Sequence, residues 1–175
     1  MIKLIEVYEM IRYYNFSIGR IGIGAQNGTI TQVILTPQAN ACSERGVAKD
    51  LELIEAAALQ IEAYLKGEIK TFDLPLNPSG TDFMKSVWME LLKIPYGETR
   101  SYKEIAISIG RNKAYRAVGM ANNRNPIPII IPCHRVIGSN GKMVGYGGGI
   151  DLKVKLLEIE NEHETNYMKS IEKTK

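Results

Sequence analysis

Residues 129–138 read Ile-Ile-Ile-Pro-Cys-His-Arg-Val-Ile-Gly, and no other stretch restricts the chain as tightly. Three β-branched isoleucines in a row need burial, and the run predicts a short core strand. Pro132 has no N–H to continue a ladder and fixes the backbone just ahead of Cys133. Cys133 is thereby set on a rigid shelf, followed at once by His134 and Arg135. A thiol is a strong nucleophile only as thiolate, and a neighbouring base or positive charge favours that form. The dipeptide alone leaves two readings open. A lone cysteine is most often a small buried hydrophobe, and adjacent side chains of an extended segment point to opposite faces.

At 175 residues the chain can form one full domain or two small ones. Composition is that of a globular protein, 45% hydrophobic and 23% charged. No run reaches the roughly 18 apolar residues of a membrane span. The start, Met1 to Glu6, has an early acid and no long apolar centre, so a cytoplasmic protein without a membrane association is expected. Two cysteines, Cys42 and Cys133, are too few for a disulfide framework, and with only His134 and His163 beside them no metal site is expected. A net charge of +3 does not by itself imply nucleic acid. Its distribution says more. Between Glu98 and Lys142 the bases are Arg100, Lys103, Arg111, Lys113, Arg116, Arg124, Arg135 and Lys142, against Glu98 and Glu104 alone. Such a window suits a polyanion, although a solvated basic face looks the same.

Met10 and the residues before it fit either a short strand or a helix. Tyr14 to Gly24 and Thr29 to Leu35 read as two strands joined by the turn Gln26-Asn27-Gly28. Gly19, Gly22 and Gly24 have the wrong spacing for a dinucleotide loop and predict a bent or bulged hairpin. Thr36 to Gly46 is a loop in which Cys42 packs or faces solvent. Leu51, Ile54, Ala58, Ile61 and Leu65 recur at helical period over Ala48 to Leu65, and Lys66-Gly67 ends that helix. Phe72, Leu74 and Leu76 alternate around Asp73 and Pro75 as an edge strand. Asn77-Pro78-Ser79-Gly80 is the best linker. Beyond it, Thr81 caps a helix with Phe83, Val87, Leu91 and Leu92 on one face. Ser101 and Glu104 have capping-box spacing for a helix to about Ile109, stopped by Gly110. Ala114 to Asn122 forms the next helix, which makes a helix-turn-helix pattern; ordinary helical hairpins share it. Gly138-Ser139-Asn140-Gly141 is a turn and Gly145 to Gly149 a loop. Val154, Leu156, Leu157 and Ile159 predict a closing helix to about Glu160, with His163 on a frayed, solvated tail.

The wider pattern Asn125-Pro126-Ile127-Pro128-Ile129-Ile130-Ile131-Pro132-Cys133-His134-Arg135-Val136 resembles the active-site signature of the O6-alkylguanine-DNA alkyltransferases, most closely the bacterial repair type. Ala114-Tyr115-Arg116-Ala117-Val118-Gly119-Met120-Ala121 is similar to that family's recognition-helix signature. The resemblance spans roughly Thr81 to Glu160. It implies an α/β (α+β) fold: a small N-terminal, ribonuclease H-like sheet domain over residues 1–78, then a mainly helical, winged helix-turn-helix-like domain over 79–162 carrying the active site, with 163–175 as tail.

The resemblance also implies the chemistry. An alkyl group would pass from O6 of guanine in double-stranded DNA to Cys133, with no cofactor, in a single turnover by a monomer. The base would be flipped out of the duplex. Arg116 would fill its place, while Ala117, Gly119 and Ala121 let the helix approach the minor groove and Arg124 adds a DNA contact. Tyr102 would donate to guanine N3. The carbonyls of Cys133 and Val136 would accept from the exocyclic amine, the Gly147 N–H would meet O6, Tyr146 would wall the pocket, and Asn125 would brace the turn. His134 would act as base through a bridging water, polarised by Glu160, and Arg135 would stabilise thiolate or DNA phosphate. Three alternatives remain: a non-catalytic alkylated-DNA-binding protein, which retention of Cys133 disfavours; a thiol hydrolase, which needs an oxyanion hole; and a helix-turn-helix transcription factor.

Overall fold

The computed structural model describes residues 9–35 and 47–172. The readings of the first eight residues and of the loop bearing Cys42 therefore lie outside the described residues.

The N-terminal part is an antiparallel meander of β1 (Met10–Phe16), β2 (Gly19–Gln26) and β3 (Thr29–Ile34), backed by α1 (Ala48–Leu65). The predicted strand from Tyr14 to Gly24 is in fact two, because the chain reverses at Ser17-Ile18 and Gly19 takes φ +120°. That turn carries no Asn-Gly or Pro signal, so it is hidden in the sequence. The second turn follows expectation, with Asn27 and Gly28 both at positive φ, as a tight hairpin demands. The pairing of β2 with β3 is irregular at Gly24/Ala25, the expected bulge. At Gly22 a Cβ would stand 2.5 Å from Tyr13 Cε1, so glycine lets the tyrosine ring lie across the strand. Helix α1 has its predicted bounds and buries Ile54, Ala57, Ala58, Ile61 and Tyr64.

The edge strand at 72–76 does not form as such. The segment is extended but makes one parallel bridge, Ile30 to Leu76, through Ile30 N–H to Pro75 O (2.8 Å) and Asn77 N–H to Ile30 O (2.9 Å). Pro75 cannot donate, which limits the ladder.

The C-terminal part is helical. Thr81 caps α2 (Asp82–Leu91), which buries Val87, Trp88 and Leu91 while Leu92 stays 40% exposed. The capping box of Ser101 and Glu104 opens α3 (Tyr102–Ser108) with both reciprocal bonds present. Helix α4 (Tyr115–Asn123) packs on α2 and α3. Trp88 Nε1 donates to Ala121 O at 2.9 Å, which pins α4 to α2. A two-residue parallel pair, β4 (Arg100–Ser101) with β5 (Val136–Ile137), ties the residues after Cys133 to the start of α3.

Two further expectations fail. Residues 129–131 are buried as predicted but form a turn, with Ile131 N–H bonded to Ile127 O at 2.9 Å. Prolines at 126, 128 and 132 remove donors on either side of the run and fix its flanks, and Ile129 at φ +75° turns the chain. The predicted frayed tail is helical instead: α5 runs from Ile150 to Glu172. His163 there is half-buried, with Nδ1 3.0 Å from Tyr96 Oη, so it is not simply solvated. Among the described residues no helix is long and apolar enough to cross a membrane.

Candidate active site

Cys133 opens a one-turn 3-10 helix, Cys133–Arg135, placed by the turn that Asn125 braces. The Asn125 amide donates to Ile131 O (2.8 Å) and to Cys133 Sγ (3.0 Å), and its Oδ1 accepts from Ile127 N–H (3.0 Å). Ile129 is held at φ +75° inside this turn, which for a β-branched residue stores about 1–3 kcal/mol of strain. The thiol is 2% exposed. Burial pushes it up to about 11, against the opposing pull of the Asn125 hydrogen bond and the charge of Lys153. At rest it is a thiol, and it needs a base to become a nucleophile.

A candidate base follows it in the chain. His134 is fully buried and its Nε2 is 2.8 Å from Glu160 Oε1. A carboxylate acceptor there places the ring proton on Nε2, leaving Nδ1 as a lone pair with no hydrogen-bond partner among the described residues. Burial lowers the imidazole below its usual range, against the opposing effect of Glu160. Burial would raise the Glu160 carboxyl, but His134 and Arg135 outweigh it and hold it at about 2. Arg135 Nε and Nη2 reach Oε1 at 3.0 Å, and Gly97 N–H donates to Oε2 at 2.8 Å. Arg135 is thus buried, with Nη1 on Ile94 O at 2.6 Å. It is a brace for Glu160, and the expectation that it touches thiolate or DNA phosphate is wrong.

A cleft of about 160 Å³ meets Cys133 and is lined in part by Asn122, Asn125, Pro128, Tyr146 and Gly147. Asn122 Oδ1 and Tyr146 Oη, both buried at its wall, have no hydrogen-bond partner among the described residues. Orphaned buried polar atoms are rare in folded chains and mark places where something else binds. Val33 and Leu35 of the N-terminal sheet close one side. Tyr102 donates to Val144 O at 2.9 Å, which ties it to the loop before Tyr146. The Cys133 carbonyl accepts from Asn122 Nδ2 at 3.2 Å, and that of Val136 accepts from Lys153 Nζ; each keeps a second lone pair. A larger cleft of about 660 Å³, between residues 70–76 and 89–96, is lined by neither cysteine nor histidine among the described residues.

On α4, Arg116 and Ala117 are exposed, as is Arg124 just beyond it. Gly119 lies beside the Tyr102 ring, which a Cβ would meet at an ordinary 3.8 Å. Ala121 does not share that face. It is 1% exposed against α2, so its small side chain serves helix packing and not groove approach.

Three residues of the site escaped sequence reading. Lys153 is fully buried; burial brings it down to about 8, partly opposed by Cys133. Its place on the stripe Lys153, Leu156, Leu157 and Glu160 was a legible signal. Asn122 sits on the inner face of α4 with Val118, another readable position. Tyr64 reaches Glu160 from α1, and nothing local foretells it.

Residues 82–162 match the family model described as 6-O-methylguanine DNA methyltransferase, DNA binding domain, and residues 10–78 match its ribonuclease-like domain. The methylated-DNA–protein-cysteine methyltransferase of Methanosarcina barkeri is 65% identical over 107 residues, 61% of this chain and 68% of that protein. That of Mycobacterium tuberculosis is 47% identical over 153 residues, 86% and 93% of the two chains. The crystal structure of Mycobacterium tuberculosis OGT in complex with DNA superposes with a TM-score of 0.79 at 44% identity, covering 88% of this chain and 94% of that one. With matches over both halves of its length, this chain belongs to the 6-O-methylguanine DNA methyltransferase family.

Proposed function

We propose that the protein repairs DNA by moving a methyl or other alkyl group from O6 of guanine to its own Cys133, once per chain. The observation that carries this is the buried thiol at the cleft, held by Asn125 and followed by a histidine whose free Nδ1 is backed by Glu160. A base within a duplex cannot reach a recessed sulfur, so the nucleotide is flipped into the cleft at a cost of a few kcal/mol. Arg116, exposed on α4, takes its place in the stack, and Ala117, Gly119 and Arg124 meet the backbone around it. Tyr102 exchanges its bond to Val144 O for guanine N3. The carbonyls of Cys133 and Val136 read the exocyclic amine, the Gly147 N–H meets O6, and Tyr146 walls the base.

The thiol proton passes to His134 Nδ1 through one water, and the imidazolium is held by Glu160. The sulfur attacks the alkyl carbon, the bond from carbon to O6 breaks, and guanine leaves with a proton supplied at N3 by Tyr102, which is replenished through solvent as the imidazolium releases the thiol's proton. The thioether that forms is not hydrolysed under ordinary conditions, so the protein is consumed. We place this work in the cytoplasm, with residues 1–78 supporting a working unit over 79–162. The test is a titration of the protein into a duplex carrying one O6-methylguanine. The proposal predicts one lesion removed per chain and then none; repeated turnover, or binding without removal, would contradict it.

A further inference from the structure

Among the described residues, Tyr64 is the one residue of the N-terminal part whose polar atom enters the relay. It lies at the last turn of α1, fully buried, and its hydroxyl donates to Glu160 Oε1, 96 residues further along the chain. The same hydroxyl is 3.2 Å from His134 Nε2. Its ring is locked by Tyr96, edge-on at 5.4 Å, and by Phe72 at 5.1 Å. Any buried tyrosine hydroxyl needs a partner, but this one falls on a carboxylate that already has Arg135, His134 and Gly97 as donors, on the same oxygen that faces His134. We propose that Tyr64 is a positioning residue of the relay: its hydroxyl, on the oxygen that His134 also uses, sets how strongly Glu160 polarises the imidazole that activates Cys133. This rests on the proposed alkyl transfer and assigns the N-terminal part a share in it.

The sign follows from hydrogen-bond competition. A donor to an ionised carboxylate disperses its charge and weakens its hold on any other donor. Glu160 with Tyr64 attached is therefore a weaker partner for an imidazolium than Glu160 without it. The other groups facing the pair are Arg135 from the same 3-10 turn, Lys153 from α5, and Tyr96 from the loop after α2. Around Tyr96 stand Lys70, His163 and Glu164. All of these persist when the Tyr64 hydroxyl is removed, so any change is assignable to it.

The experiment is the single-turnover rate of methyl removal from an O6-methylguanine duplex as a function of pH, with the full chain. Tyr64→Phe keeps the ring and its packing. Its acid limb is expected to move to higher pH by about one unit, so that on the limb the variant is about tenfold slower at a given pH, with the plateau retained. Tyr96→Phe, which also loses a buried hydroxyl but outside the relay, is expected to follow the wild-type profile. Site-specific 3-fluorotyrosine at position 64, a stronger donor of nearly equal size, should move the limb the other way, and it carries the test if Tyr64→Phe does not fold. A Tyr64→Phe profile superimposable on wild type, or lowered equally at every pH, would overturn the proposal. Wild-type protein that removes no methyl group would instead sink the proposed function itself.

Discussion

Asn125 shows how much one side chain decides here. It makes three hydrogen bonds within the turn that presents Cys133, one of them to the sulfur. Asn125→Ala leaves the Ile127 N–H unpaired, takes one of two donors from the Ile131 carbonyl and loosens a backbone strained at Ile129. The expected loss is about 1–3 kcal/mol of stability, read from urea unfolding, together with a slower transfer at every pH. Glu160 makes a pH statement of its own. Its carboxyl is held at about 2 against an ordinary 4.5, so between these values the unfolded chain binds the extra proton. The stability it supplies is complete above the unfolded value and is lost as pH falls through that window, on the order of 3 kcal/mol in all. Acid titration of the folded protein should show this loss, and Glu160→Gln should flatten it. At this scale the grouping of Cys133, His134 and Glu160 was legible from a contiguous motif for the first two and from the family resemblance for Glu160. Arg135 was misread because a sequence cannot say which way an arginine folds back, and Tyr64 was missed because its partner is remote.

At the scale of elements, the helices were largely legible from caps and periodicity. Helix α1 has its expected ends, and the capping box at Ser101 forms as the spacing requires. The strands fared worse, since a short buried apolar run reads alike as strand or turn; residues 129–131 became a turn between flanking prolines, with Ile129 at φ +75°. Helix α4 divides cleanly into an exposed side with Arg116 and Ala117 and a buried side with Val118, Ala121 and Asn122. The two sides should respond differently. Arg116→Ala should leave the melting temperature nearly unchanged while slowing repair of duplex substrate more than reaction with a free modified base. Ala121→Leu forces bulk into a buried position of α4, which packs on α2, and should cost about 1–3 kcal/mol, visible as a lower melting temperature with or without DNA.

At the scale of the whole molecule, the sheet part and the helical part meet at the chemistry. Leu35 and Val33 reach the Cys133 cleft, and Tyr64 reaches Glu160. No local pattern could have shown that meeting, because it depends on long-range packing. The basic window was legible, and the exposure of Arg124 fits a phosphate contact. Affinity for undamaged duplex should accordingly fall linearly on a log–log plot against salt, measured by fluorescence anisotropy, with a shallower slope in Arg124→Ala. The most direct test of the central claim is the intact mass of the protein after incubation with excess duplex carrying one O6-methylguanine, beside Cys133→Ser. The account predicts a gain of one methylene unit per chain that stops there and is absent from the variant. No gain in folded protein, or a gain that survives Cys133→Ser, would contradict it.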